Sequence, residues 1–350
     1  ITYRHPFIEL ISKFAGGILS VSAGLSLGRE GPSVQIGSYV GCLVSRWTHI
    51  LKGERKQLLA AGAGAGLAAA FAAPLASSLI VIESIERFDA PKTAITTLLA
   101  GVVAGVIATL VFPVNPYHLI EVSEPALAFW VQMKYFLILA VIISIVGKLY
   151  AAIMISFKRV YSAVKSPTSV KMFYLVLVAY IISLMQVNLT GGGEQFLLEQ
   201  AQNGSTEMMW VLAVMLLHFG FSVCSVSSGL PGGNFIPTLV TGGLLGRFVG
   251  LIAVKYGIIG QESVTYVMLI SMSAFLVAIE RTPLTAIVLI TEITGHFEVF
   301  YPSVVVGGLT YYFTELLQMK SFNVILYEDM VSSSDFQEEK RYALSVEVMT

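Results

Sequence analysis

The stretch that decides the fold is residues 208–246, MMWVLAVMLLHFGFSVCSVSSGLPGGNFIPTLVTGGLLG, which contains no Asp, Glu, Lys or Arg. A helix needs about 20 apolar residues to cross the hydrocarbon core of a bilayer, so this run is long enough to cross. Its centre, residues 227–237, is rich in Gly and Pro and should interrupt the helix. Non-helical backbone is tolerated at membrane depth only where it is buried in protein or lines a polar cavity. The break is therefore a candidate functional site.

The rest of the chain has the same character. Charged residues make up 12% of the 350 and hydrophobic residues 55%, whereas soluble domains carry roughly 25% charged residues. Further charge-free runs cover residues 57–82, 93–120 and 172–193. Glycines lie inside these runs, as expected of helices that pack closely through small residues. The composition excludes a soluble globule and predicts an all-α polytopic membrane protein.

Several functional classes find no support in the sequence. The net charge of -1 provides no basic field for nucleic acid. The five histidines are scattered without metal-ligand spacing, and Cys42 and Cys224 lie in apolar surroundings typical of reduced thiols. No cluster of nucleophile, base and orienting group is evident. We therefore expect neither an enzyme nor a metal site, and no cofactor bound by this chain.

Charge-free blocks and breaker residues predict twelve helices. They cover residues 8–26, 33–50, 57–71, 74–86, 92–111, 128–158, 171–187, 208–224, 237–255, 263–279, 283–293 and 302–318. Several of these helices are too short to span a bilayer. Half-crossing helices at membrane depth are typical of transporters and channels.

Two spaced motifs recur in the same order in the two parts of the chain. The pattern Pro-x4-Gly-x3-Gly begins at Pro32 and again at Pro237. The pattern Pro-Leu-x7-Glu begins at Pro74 and again at Pro283. This recurrence predicts two homologous halves, about residues 1–125 and 126–330, and we expect them to be inverted, as in many transporters.

The charge pattern of the loops predicts which side of the membrane they face. Basic residues cluster within 46–56 and 158–171, which places these loops in the cytoplasm. Loops 112–127 and 188–207 carry glutamates and no Lys or Arg, so we expect them outside.

Gly28-Arg29-Glu30-Gly31-Pro32 is the first stretch that suggests chemistry. Pro32 suits the start of a helix, and the flanking glycines let backbone amides approach a ligand. A helix N-terminus with open amides binds anions. The Glu30 carboxylate could occupy that site, compete with a mobile anion and leave when protonated, and would then act as a gate. The alternative is a glutamate that only stabilises the helix N-terminus through the macrodipole.

Gly232-Gly233-Asn234-Phe235-Ile236-Pro237 is the second such stretch. The amides of Asn234, Phe235 and Ile236 precede the helix that begins near Pro237. They predict a second anion cradle, which should face the first across the pseudo-symmetry of the two halves. The alternative is an ordinary kinked loop.

Four stretches together resemble the CLC family of chloride channels and chloride/proton antiporters. They are Gly28–Pro32, Gly66–Phe71 with Ala73–Ala76, Gly232–Pro237 and Arg281–Thr285. They occur in the family's order between about residues 8 and 330. The resemblance implies a homodimer in the lipid bilayer, with one chloride pore per subunit built from an inverted repeat.

The resemblance also implies roles for individual residues. Glu30 matches the gating glutamate, and amides near Phe235 and Ile236 match the central anion site. The family's anion-coordinating tyrosine falls on Phe297, which has no hydroxyl, although Tyr301 lies one helical turn further on. The implied anion-binding set is Gly28, Arg29, Gly31, Gly233, Asn234, Phe235, Ile236 and Phe297.

The sequence departs from the family pattern at two further places. The family's serine motif, whose hydroxyl binds the central anion, would precede residue 1, so we expect the first helices to be missing from this chain. The inner proton-transfer glutamate of the antiporters falls on Ser84, which cannot carry a proton as a carboxyl group does. This loss favours passive chloride conduction, because proton coupling needs a titratable relay in a region where charges are costly.

Two alternatives to passive conduction stay open at this point. Proton-coupled exchange of chloride, fluoride or nitrate would need another relay, for which Glu83, Glu86 and Glu280 are candidates. Against this role, Glu83 and Glu292 could be structural carboxylates at matching helix ends, and Glu280 could pair with a basic residue. A non-conducting membrane scaffold is the alternative from another class.

The end of the chain differs from the transmembrane part. Residues 1–330 form the predicted transmembrane domain, and residues 331–350 form a polar cytoplasmic linker. The linker resembles the approach to a CBS domain, which would bring adenine nucleotide as a ligand; the alternative is a disordered tail. We expect a multi-pass protein of the plasma or cell membrane.

Overall fold

A computed structural model describes residues 5–48, 52–86, 91–112, 120–185 and 187–332. Within these ranges the regular secondary structure is helical, which confirms the all-α fold. The helices are α1 (Pro6–Ser22), α2 (Glu30–Trp47), α3 (Lys52–Phe71), α4 (Pro74–Val81), α5 (Pro91–Val111), α6 (Phe129–Ala163), α7 (Thr168–Leu184), α8 (Glu194–Asn203), α9 (Met208–Ser227), α10 (Phe235–Lys255), α11 (Val264–Glu280), α12 (Pro283–Thr294), α13 (Phe300–Leu316) and α14 (Phe322–Ser332).

Each of the twelve predicted helices is present, with two differences worth noting. The first helix was expected to reach residue 26, but α1 ends at Ser22, and Gly24 takes a left-handed conformation with φ of 79°. The sequence prediction also missed α8 and α14, which are short and less regularly apolar. The linker after residue 332 lies outside the described residues, as does the side chain of Glu86.

Five described helices are long and apolar enough to cross a bilayer. They are Lys92–Val111, Phe129–Ala163, Met208–Ser227, Phe235–Lys255 and Gln261–Glu280. In the last two, 89% and 94% of the most apolar stretch is buried inside the protein. These two helices therefore form the centre of the molecule, and the other helices shield them from lipid.

The predicted half-crossing helices are confirmed at the second repeated motif. Helix α4 has 8 residues and α12 has 12, and each begins at the proline of the motif. At about 1.5 Å per residue neither can cross a hydrocarbon core of about 30 Å. The two short helices contact each other.

Two carboxylates connect these short helices in a reciprocal way. Glu83, which follows α4, accepts hydrogen bonds from the first free amides of α12, those of Leu284 (3.0 Å) and Thr285 (2.8 Å). Glu292, near the end of α12, accepts the equivalent pair from the start of α4, at 3.0 and 2.9 Å. Each carboxylate therefore caps the N-terminus of the other helix, where negative charge is favoured. This geometry supports the structural interpretation of Glu83 and Glu292.

Replacement of Glu83 by Gln should destabilise the protein. The amide retains one acceptor atom, but the charge-assisted bonds to α12 and to the Thr285 hydroxyl are weakened. We expect a loss of about 1–3 kcal/mol, measured as a lower midpoint of thermal unfolding in detergent. Glu292→Gln should have a similar effect because its geometry matches, and Glu54→Gln at the exposed start of α3 serves as the control. An unchanged midpoint for Glu83→Gln would contradict the capping role.

Glycines of the first repeated motif bring helices together backbone to backbone. A Cβ atom at Gly37 of α2 would lie 2.0 Å from the carbonyl oxygen of Gly62 in α3, and one at Gly62 would lie 2.2 Å from that of Gly37. In the second half, a Cβ at Gly246 of α10 would lie 2.5 Å from Ser271 of α11. No larger residue fits without moving the helices, which confirms the predicted packing through small residues.

Candidate anion-binding site

The two Gly-rich loops meet through their backbones. The N–H of Gly28 donates to the carbonyl of Gly233, and the N–H of Gly233 donates to the carbonyl of Gly28, each at 2.8 Å. This pair of bonds holds the N-termini of α2 and α10 side by side. The two predicted cradles are therefore neighbours in the structure, as the repeat indicated.

This pairing corrects the role predicted for Gly28 and Gly233. Both amides are already used between the loops, so neither is available to an anion. The two glycines provide space instead, since a Cβ at Gly28 or at Gly233 would lie 2.0 or 2.5 Å from Oε1 of Glu30. The donors left for an anion are amides at the helix starts, including those of Phe235 and Ile236.

Glu30 occupies the second cradle. Its side chain is buried, with 3% of the residue exposed, and Oε1 accepts a hydrogen bond of 3.0 Å from the N–H of Ile236. Among the described residues Oε2 has no hydrogen-bond partner. The carboxylate thus lies at the N-terminus of α10, where the orphan amides and the helix dipole favour a negative charge.

A cavity of about 530 Å³ opens on one side of Glu30. It is called the inner cavity below, because Lys158 of the predicted cytoplasmic loop lies in its wall. Its polar and aromatic lining includes Glu30, Ser84, Lys158, Ser227, Asn234, Phe235, Glu280, Phe322 and Asn323. The structure therefore brings the gate candidate Glu30, the relay candidate Glu280 and Ser84, at the position of the missing glutamate, to one space, whereas Glu83 is engaged with α12.

Glu280 is a second buried carboxylate in this cavity. It ends α11, is 7% exposed and accepts a hydrogen bond from the side-chain amide of Asn323. Pairing with a basic residue was the alternative considered for Glu280, and in the described part of the chain it is not found. Arg281 adopts a left-handed conformation with φ of 61° and instead binds Thr314 and Glu315.

Phe297 does not lie at the site, which corrects its prediction as an anion-binding position. It belongs to a short turn before α13 and is 75% exposed, and Tyr301 is 77% exposed. Two aromatic residues lie in the cavity wall, Phe235 and Phe322, and Phe322, the first residue of α14, is 3% exposed. Sequence reasoning missed Phe322 and Asn323 because it did not predict α14; the apolar run at 324–327 was the available signal.

Asn234 adds a side-chain donor to the cradle. Its Oδ1 accepts a hydrogen bond of 3.2 Å from the hydroxyl of Tyr150, which is itself buried. Its Nδ2 is buried without a hydrogen-bond partner among the described residues. A buried amide in this state costs free energy unless a ligand or water pairs with it. The side chain thus supports the site that the sequence placed at the backbone of Asn234.

A second cavity, of about 810 Å³, lies next to Arg29. It is called the outer cavity because Phe112, Thr190 and Glu194, from the predicted outer loops, line it. Arg29 and Glu30 are consecutive but line different cavities. The rings of Phe71, in the outer wall, and Phe235, in the inner wall, have centroids 5.6 Å apart. The site therefore lies between two spaces that the charge pattern assigns to opposite sides of the membrane.

A buried carboxylate from one repeated motif, bound to an amide of the other and placed between two opposed cavities, is the arrangement expected of a membrane transport protein. The sequence profile of the family described as "Voltage gated chloride channel" matches residues 2–315. The chain belongs to this family and is an integral membrane protein.

A curated relative has a related sequence. The H(+)/Cl(-) exchange transporter ClcA of Cronobacter sakazakii (strain ATCC BAA-894) is 31% identical over 305 residues, which are 84% of this chain. The chain spans 64% of the length of that relative.

Solved structures share the fold. A slow cyanobacterial Cl-/H+ antiporter matches with a TM-score of 0.85 and 26% identity over 93% of this chain and 77% of its own. A CLC-type fluoride/proton antiporter matches with a TM-score of 0.70 and 21% identity, over 86% of this chain and 73% of its own. A eukaryotic CLC transporter matches with a TM-score of 0.71 and 22% identity, over 91% of this chain and 55% of its own. These similarities confirm the predicted CLC-type fold.

Proposed function

We propose that this chain forms the anion pathway of a proton-coupled chloride exchanger, with Glu30 as the group that both gates the anion and carries the proton. The observation that carries the proposal is the position of the Glu30 carboxylate. It occupies the helix N-terminus that would bind the anion, so the two negative charges exclude each other there. A proton on Glu30 removes its charge, weakens its hold on the Ile236 amide and admits the anion.

Two observations favour exchange over the passive conduction expected from Ser84. Glu280 provides a second titratable group in the inner cavity, on the side where the family's missing carboxyl group would act. The curated relative and the cyanobacterial structure are both named as exchangers of chloride and protons. Glu83 is a poor relay because its two oxygens are already bonded to α12.

The proposed route has three steps. A proton enters the inner cavity and is held on Glu280, which is buried and hydrogen-bonded to Asn323. It passes to Glu30 across the same cavity. The neutral Glu30 leaves the amides of α10, and an anion takes its place there. Glu30 then releases its proton towards the outer cavity, and return of the carboxylate to the amides expels the anion towards the inner cavity.

The other properties implied by the resemblance stay predictions. They are the homodimer, the cell-membrane location, the absence of an enzymatic activity and of a cofactor in this chain, and a nucleotide-binding CBS domain after residue 331. Chloride is proposed as the anion because the family, the curated relative and the cyanobacterial antiporter are named for it. Fluoride and nitrate are to be compared with chloride in the same flux assay.

The reversal potential of the protein in planar bilayers tests the proposal. Under a chloride gradient and an opposing proton gradient, we expect the potential to shift with both gradients at a fixed ratio. A reversal potential set by the chloride gradient alone would contradict exchange and indicate passive conduction. Uptake of labelled chloride into proteoliposomes is the companion measurement, since its absence would leave only a non-conducting scaffold.

A further inference from the structure

An ion pair lies in the wall of the outer cavity, which is the outer mouth of the proposed anion path. Nη2 of Arg29 donates to Oε1 of Glu194 at 3.2 Å. The arginine side chain is 56% exposed, whereas that of Glu194 is only 17% exposed. Arg29 directly precedes α2, and Glu194 is the first residue of α8. The pair therefore joins the outermost part of the candidate anion path to an element that sequence analysis had treated as a loop.

The turn before Glu194 fixes its position relative to the anion cradle. Gly191, Gly192 and Gly193 all have positive φ, of 65°, 87° and 81°, a conformation that other residues adopt at a cost. A Cβ at Gly192 would lie 3.0 Å from the side chain of Ile236, whose amide binds Glu30. The turn therefore packs directly on the first turn of α10. Glu194 is held by the same framework as the anion site.

The charges that line the outer cavity balance one another. Among the described residues of its wall, Arg29 is the one cation and Glu194 the one anion. With the pair formed, the wall has no net charge. Without Glu194, the uncompensated guanidinium would raise the local concentration of small anions next to Glu30, because a charged cleft with low-dielectric walls focuses the field.

We propose that Glu194 sets the affinity of the outer mouth for the transported anion, by competing with it for the guanidinium of Arg29. Glu194 competes with the anion for Arg29, as Glu30 competes with it for the amides of α10. An incoming anion therefore displaces two carboxylates in succession. Glu194 acts through Arg29 and is a positioning and affinity-setting residue. The inference rests on the proposed anion transport.

The test compares the variants Glu194→Gln and Glu199→Gln. Glu199 lies on the same helix but outside the cavity wall, where it accepts a hydrogen bond of 2.6 Å from Asn188. It therefore controls for the loss of one charge from the same face of the protein. The measurement is the external chloride concentration that gives half-maximal uptake into proteoliposomes of known orientation, at low ionic strength.

For Glu194→Gln we expect this concentration to fall roughly fivefold, because the interaction of two unit charges a few ångströms apart has about this effect when water screens it, as at the exposed guanidinium of Arg29. Glu199→Gln should leave it unchanged.

The variant Arg29→Gln should change the half-saturating concentration in the opposite direction. This test does not depend on the folding of the Glu194 variant. Removal of the exposed guanidinium should raise the half-saturating concentration several-fold. In the Arg29→Gln background, Glu194→Gln should have a clearly smaller effect, since only its own repulsion of the anion is removed and there is no guanidinium to compete for.

Three outcomes overturn the inference. They are an unchanged affinity in Glu194→Gln, an equal change in Glu199→Gln, and a full effect of Glu194→Gln in the absence of Arg29. If the wild-type protein takes up no anion, the proposed function itself fails. Wild-type uptake combined with any of the three outcomes refutes only the role of Glu194. Elution as a single species in detergent confirms that each variant is folded.

Discussion

Replacement of Glu30 by Gln is expected to make anion flux independent of pH. In the wild-type protein, acidification protonates the carboxylate that occupies the start of α10, so flux should rise as the pH falls. In the pH range where a carboxyl group is mostly ionised, its protonated fraction grows about tenfold for each unit by which the pH falls. The flux can therefore rise at most about tenfold per pH unit. The amide of the Glu30→Gln variant is neutral at every pH, and its flux should change less than about twofold between about pH 5 and 7.5.

The same substitution should abolish the coupled movement of protons. An amide has nearly the volume of the carboxyl group but cannot carry a proton through the site. Chloride uptake and proton efflux measured together in proteoliposomes would show anion flux without proton flux. Glu54→Gln, which removes an exposed carboxylate at the start of α3, should retain the wild-type pH profile. A pH dependence in Glu30→Gln equal to that of the wild type would rule out Glu30 as the gate.

The central part of the fold could be predicted from the sequence because its signals are local. Long uncharged runs identify the spanning helices, and the repeated Pro and Gly spacings place the matching short helices α4 and α12. The reciprocal caps of Glu83 and Glu292 follow from the same repeat, since each glutamate occurs nine residues after its proline. Even the proximity of Glu30 to α10 was foreseeable, because the two cradles belong to matching motifs.

The parts that the sequence did not predict depend on tertiary contacts. Helix α14 carries no strong periodicity, so the placement of Phe322 and Asn323 in the inner cavity was missed, and Phe297 was chosen in place of a cavity residue. Helix α8 is polar, and its N-terminus acquires a role only because the glycine turn packs on Ile236. The backbone hydrogen bonds between Gly28 and Gly233, which make both amides unavailable to an anion, likewise become visible only when the two loops are placed next to each other.

Glu280→Gln is expected to uncouple proton flux from anion flux. The amide still accepts a hydrogen bond from Asn323, so the geometry of the inner cavity should persist. Glu30 is left intact, and anion flux should continue to respond to external pH. Proton flux driven by a chloride gradient should fall roughly a hundredfold, the scale on which a positioned acid or base accelerates proton transfer.

The matched comparison is with Glu83→Gln, which alters a carboxylate outside the cavity wall. If Glu280 is the relay, Glu83→Gln lowers stability but preserves the ratio of protons to anions, because Glu83 serves to cap α12. If instead Glu280→Gln retains full coupling, protons must reach Glu30 without a carboxylate in the inner cavity, and water filling the space between Ser84 and Glu30 becomes the carrier to examine. The ratio of the two fluxes therefore distinguishes a relay built from a side chain from one built from solvent, in a protein whose Ser84 occupies the expected place of a carboxyl group.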